Sequence, residues 1–138
     1  MLGAFPLLLI PIVLYNVIAF GGSALEGPET VVKRLNEAII IVPMHSGMDW
    51  TISAADLLIV MGLALLFVEL LKSTSSHKVA IINHSFSMLL FIACLVEFLL
   101  FEAFATSVFF ILMMMTLLDV LAGFIVTILA ARRDLNVG

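Results

Sequence analysis

Four long apolar runs, Leu2–Phe20, Leu57–Leu71, Val79–Phe101 and Ala103–Ala131, leave this chain few ways to fold. Only four carboxylates interrupt or separate them: Glu69, Glu97 and Asp119 within runs, and Glu102 between the last two. A membrane-crossing helix needs roughly 20 mostly apolar residues, and runs of this length allow four such helices. A soluble domain is about half apolar, whereas this chain of 138 residues is 64% hydrophobic and 12% charged. Its mean hydropathy is +1.30. A fold of this size has no interior able to hide so much apolar surface, so the surrounding medium is expected to be lipid. The fold class that follows is an all-α membrane protein, a four-transmembrane-helix bundle forming one domain over 1–138. The spans are expected at about 2–20, 53–71, 80–101 and 106–131, with an extracytoplasmic loop over 21–52.

The first span carries Pro6 and Pro11. Pro6 suits a first helical turn, and Pro11 is expected to kink the helix by removing one hydrogen bond. A secretory signal would carry a basic stretch at its start, but residues 1–20 contain no Lys or Arg, and Gly22-Ser23-Ala24 is only a weak cleavage-like cluster. A retained span is therefore favoured. Tyr15 and Asn16 fall in its last turns, where Tyr15 reads as an interfacial anchor. Gly21, Gly22 and Gly27-Pro28 are expected to break the helix.

From Thr30 the pattern becomes amphipathic. Val31, Val32, Leu35, Ala38, Ile39 and Val42 recur at helical spacing, with Lys33, Arg34 and Glu37 opposite. This predicts a short helix between the first two spans, either in the membrane interface or folded over the end of the bundle. Pro43 ends it and Gly47 marks a turn. Trp50, the only tryptophan, stands just before the second span, the usual place for an indole anchor. Ser53 and Asp56 match a capping box, with the hydroxyl three residues ahead of the carboxylate. Asp56 is therefore read as a helix-start residue.

A polar connector, Lys72 to Lys78, separates the second and third spans, and a very short link around Glu102–Ala105 makes the last two an antiparallel hairpin. Lys72, Lys78, Arg132 and Arg133 fall on one side if there are four spans. The positive-inside rule then puts both termini in the cytoplasm. Lys72, Arg132 and Arg133 join Trp50 and Tyr15 as expected anchors.

Asp119 is the deepest carboxylate. An aspartate at mid-bilayer costs about 2.5–3.5 kcal/mol on insertion scales, so it is expected to face protein or water. Leu112, Thr116, Asp119, Gly123 and Thr127 form a small and polar stripe at helical spacing. On the third span His84, Ser87, Phe91, Cys94, Glu97 and Phe101 form another. If the stripes meet, Asp119 is expected at the depth of Phe91 to Cys94. The candidate intramembrane site is thus Asp119, Glu97, His84, Thr116 and Ser87. It reads either as polar glue between helices or as a proton or cation path. Glu69, three residues before Lys72, is read as its ion-pair partner near the interface.

His45 and His77 are expected in loops on opposite sides and His84 is alone in its span, so one chain offers no bis-histidine or metal site and no cofactor is expected. The lone Cys94 allows no internal disulfide. No hydrolase elbow, HExxH, P-loop or dinucleotide glycine pattern is present, which speaks against an enzyme. The net charge of −4 with no basic patch speaks against nucleic acid. The stretches Ser46-Gly-Met-Asp-Trp50, Asp56-Leu-Leu-Ile59, Glu69-Leu-Leu-Lys72 and Ala130-Ala-Arg-Arg-Asp134 resemble small, uncharacterised bacterial inner-membrane proteins with four predicted spans. The resemblance implies that setting and transfers no activity. The expected partners are membrane lipids and either further copies of the chain or other membrane subunits. A reporter active only in the periplasm, fused after Gly138, is expected to be silent; an active fusion would reverse the orientation.

Overall fold

The computed structural model describes residues 5–26, 28–73 and 77–137, except for the side chains at 22–26, 73, 77–81, 130 and 134–137. Five α-helices and one β-hairpin follow in the order α1 (Leu9–Glu26), α2 (Pro28–Leu35), β1 (Ala38–Pro43), β2 (Asp49–Ser53), α3 (Ala54–Ser73), α4 (His77–Leu100) and α5 (Ser107–Val137), with a 3-10 turn at Glu102–Phe104 before α5. Among the described residues, three helices are long and apolar enough to cross a membrane, over Ala54–Lys72, Ile82–Leu100 and Ser107–Arg133. The apolar part of α1, Leu9–Gly21, is shorter. Predicted residues 1–4, Gly27 and the middle of the polar connector, 74–76, lie outside the described residues.

The α5 helix is the centre of the bundle. Its most apolar stretch is 44% buried, against 28% for α3 and 22% for α4. Phe109, Leu112, Met113, Met115, Thr116, Asp119 and Val120 are all buried, so the inward face is wider than the predicted stripe and takes in Phe109 and Met113. Thr127 lies beyond it, exposed. At 31 residues and 1.5 Å per residue, α5 is roughly 46 Å long. It overruns a hydrocarbon core of about 30 Å, and Arg132 and Arg133 are exposed on its far end. Gly62 lets α3 approach α5: a Cβ there would stand 2.8 Å from Met115 Sδ and 3.0 Å from a Leu112 methyl.

The predicted capping box is present. Ser53 N–H and Oγ–H donate to Asp56 Oδ2 at 2.8 and 2.7 Å, and Asp56 N–H donates back to Ser53 Oγ at 3.3 Å. This reciprocal pair starts α3 at Ala54 with no linker after β2.

The region before α3 departs from the expected helix. The α2 helix stops at Leu35, where Asn36 Nδ2 donates to Val32 O at 2.9 Å. Residues 38–53 then form an antiparallel hairpin, so the fold is mostly rather than wholly helical. The β-branched run Ile39-Ile40-Ile41-Val42 favours a strand. His45-Ser46-Gly47 closes the hairpin as a three-residue loop in which Gly47 adopts φ 83°. Val31 and Leu35 of α2 are fully buried, so this helix folds back onto the bundle.

Three further expectations change. Gly21 and Gly22 do not break α1, which continues to Glu26. The bare Gly21 instead faces α2, where a Cβ would meet Arg34 Nη1 at 3.8 Å. Pro11 falls in the first turn of α1, where its missing N–H has no intrahelical partner to lose and no kink is required. His77 opens α4 rather than lying in a loop.

Tyr15 is not an interfacial anchor. It is 0% exposed and packs against Phe104 and Phe109, with ring centroids 5.5 and 4.8 Å away. Its hydroxyl donates to Ala103 O at 3.0 Å and is bonded to Thr106 Oγ1 at 2.6 Å, pinning α1 to the α4–α5 turn. Tyr15→Phe is expected to lower stability by about 0.5–1.5 kcal/mol, read as a shifted denaturant midpoint in detergent micelles.

Candidate functional site

The polar residues of the helices gather at two levels. The level near the α4–α5 turn holds Glu97, whose Oε2 accepts from Asn16 Nδ2 at 3.3 Å. The same amide donates to Ile12 O of its own helix at 3.0 Å. Asn16 therefore faces Glu97 across the α1–α4 contact, one residue from the Tyr15 pin.

The second level lies toward the α3–α4 connector and holds the deeper acids. Glu69 on α3 is 0% exposed. Its Oε2 accepts the Leu7 backbone N–H at 2.7 Å and lies 3.7 Å from Lys72 Nζ. Its Oε1 accepts from Asn83 Nδ2 on α4. The predicted pair with Lys72 is therefore present, but Glu69 is a buried junction of three chain segments and not a snorkelling surface acid. The segment before α1 is held here a second time by Phe5, stacked on Phe86 with centroids 5.1 Å apart.

Asp119 on α5 is 1% exposed, and its Oδ2 accepts from Ser87 Oγ on α4 at 2.5 Å. The two predicted stripes do meet, but at a different depth from the one expected. Asp119 lies opposite Ser87 and not opposite Phe91 to Cys94. The cause is the register of the helical hairpin: Asp119 is twelve residues into α5 and Ser87 thirteen residues before the end of α4, so equal rise on both sides brings them together. One turn further along, the His84 ring lies over Gly123, where any Cβ would collide with the imidazole.

Of the other expected site residues, Thr116 is fully buried, but its hydroxyl donates to Met113 O of its own helix at 2.6 Å. Cys94 is a buried free thiol in the packed α4 face. Trp50 lies on β2, 54% exposed. Asn83 and the Leu7 N–H are the partners that sequence patterning underweighted. The spacing of Asn83 four residues before Ser87 was a signal for the first; nothing local signals the second.

Two features keep this level from being a closed network. Asp119 Oδ1, Asn83 Oδ1 and both nitrogens of His84 are buried with no hydrogen-bond partner among the described residues. Beside His84, a recess of about 480 Å³ opens between α4 and α5, lined by Met88, Leu89, Gly123 and Phe124 among others. Among the described residues, no three His, Cys, Asp or Glu side chains are grouped to hold a metal ion. Comparison with protein-family models, curated proteins and solved structures gives no match. In a double-mutant cycle, Ser87→Ala and Asp119→Asn are expected to couple by about 0.6–1.7 kcal/mol, the range of interhelical hydrogen bonds in lipid. Unfolding in mixed micelles measures it, and additive effects would show that the bond adds nothing to the α4–α5 contact.

Proposed function

We propose that this chain is a non-enzymatic, multi-pass protein of a bacterial inner membrane that acts through helix association, as a homo-oligomer or as an accessory subunit of a membrane complex. In this reading α1 is the fourth crossing and both termini are cytoplasmic. The observation that carries the proposal is the engagement of the acids within the helices. Glu69, Glu97 and Asp119 are each bonded to another segment of the same chain, so their polar chemistry goes into holding the bundle together. The working surface is then the outside of the bundle. Its α4–α5 face, with the recess beside His84, suits a side chain of a neighbouring helix. Purified in mild detergent, the wild type is expected to run larger than one chain or with a stoichiometric membrane subunit. Leu89→Trp, at an exposed position lining the recess, is expected to weaken that assembly. A stable wild-type monomer without partner would overturn the proposal.

A second reading has one specific observation behind it. The unpartnered atoms of Asp119, Asn83 and His84 lie in adjoining turns of α4 and α5, as a proton or cation path would need. Proteoliposomes of wild type and Asp119→Asn separate the readings. The association reading expects no proton or cation flux above empty vesicles. Flux in the wild type that is lost in Asp119→Asn would establish the path instead.

A further inference from the structure

The β-hairpin has one wholly apolar face, which follows from its register. Cross-strand partners stand on the same face of a sheet and successive residues alternate. Ile40 pairs with Ile52 and Val42 with Trp50, and the Met44 N–H donates to Met48 O at 2.9 Å, extending the ladder to a Met44–Met48 pair. These six residues share one face. The other face holds Ile41 opposite Thr51 and Pro43 opposite Asp49, so it carries the polar groups. On the apolar face Ile40, Met44, Met48 and Trp50 are exposed, Met48 by 72%. Among the described residues the sheet has these two strands. Such a ribbon is at best marginally stable alone in water, and a contiguous exposed apolar face marks a docking surface.

The position of the ribbon indicates what covers that face. The β2 strand runs directly into α3, and the Ser53–Asp56 capping box fixes the join. The first turns of α3 continue the apolar surface outward through exposed Leu57 and Val60. The ribbon therefore starts where α3 enters the bilayer. Its free strand edges carry backbone N–H and C=O groups that hydrocarbon cannot satisfy, which keeps the ribbon out of the acyl core, while the hydrated headgroup layer accommodates them. The chain's only tryptophan is on the apolar face, and indoles concentrate in that layer. Residues 38–53 contain no Lys or Arg, so attraction to anionic headgroups has no part in seating it.

We propose that the hairpin is a lipid-docking ribbon. It lies flat on the bilayer at the end of the bundle that holds the α4–α5 turn. Ile40, Val42, Met44, Met48, Trp50 and Ile52 are seated at the top of the acyl chains, and Asp49 and Thr51 face water. The proposal rests on the reading that α3 crosses the membrane.

Trp50 is the only indole, so its fluorescence reports on this face alone. The full chain is reconstituted into phosphatidylcholine vesicles, with and without phosphatidylglycerol, and into nanodiscs holding one copy. The expected result is a blue-shifted emission that loses most of its intensity to lipids brominated high on the acyl chain. It should lose little to lipids brominated near the chain end or to aqueous iodide, and be the same with or without anionic lipid. The double variant Ile40→Asp, Met44→Asp is expected to shift the emission red and admit iodide, with helix content by circular dichroism unchanged. Emission open to iodide and indifferent to brominated lipid in the wild type would overturn the proposal. So would a blue shift lost in single-copy nanodiscs, which would assign the face to a second chain. Release of the chain from vesicles by alkaline carbonate would overturn the membrane-crossing reading itself, a failure distinct from that of the ribbon.

Discussion

The buried carboxylate of Glu69 is the interaction on which the arrangement of the helices most depends. A carboxylate without water has to be neutralised and hydrogen-bonded by the protein around it. Glu69 meets that demand by drawing in Lys72 from its own helix, Asn83 from α4 and the Leu7 N–H from the segment before α1. The need runs both ways, because the N–H groups at the start of a helix buried in an apolar bundle also lack partners. One side chain therefore ties the segment before α1 and the first turns of α4 to the end of α3.

The rest of the bundle is built around that junction by close approach. Gly62 on α3 and Gly123 on α5 remove side chains where neighbours come nearest, against Met115 and Leu112 in one case and the His84 ring in the other. Small residues at helix contacts are the usual route to tight packing in lipid, where no hydrophobic effect drives helices together. At the opposite end, Tyr15 repeats the design with a hydroxyl in place of a carboxylate, bonding α1 to the Ala103 carbonyl and Thr106. The polar groups are thus spread over two levels, each tying α1 to the helices behind it. This division favours a structural role for the acids over a continuous path through the bundle.

Much of this was legible in the residues. The apolar runs located α3, α4 and α5 to within a few residues, the Ser53–Asp56 spacing marked the start of α3, and the i to i+3 spacing of Glu69 and Lys72 marked their pair. The stripes containing Asp119 and Ser87 are visible in the residues, but that they face each other is a condition there, and the Ser87–Asp119 bond supplies the answer. The hairpin was not legible as such, because an apolar run as short as Ala38–Val42 fits a helical and a strand period alike. Nothing local marks Tyr15 as buried, because an aromatic near a helix end is usually an anchor. Its burial depends on where the α4–α5 turn sits, whose bonded residues Ala103 and Thr106 are 88 and 91 residues away along the chain.

The sequence by itself determined the features that depend on neighbours a few residues apart: the apolar helices, the capping box and the local ion pair. Periodicity and side-chain reach along one helix decide these. Only the tertiary structure decided which donor each buried acid meets, that Asp119 lies at Ser87, that Tyr15 is a buried pin and that one face of residues 40–52 is unbroken apolar surface. Those outcomes depend on the register between separate elements. That register is set by the length of the α4–α5 link, by the closeness that two glycines permit and by the loop that closes the hairpin.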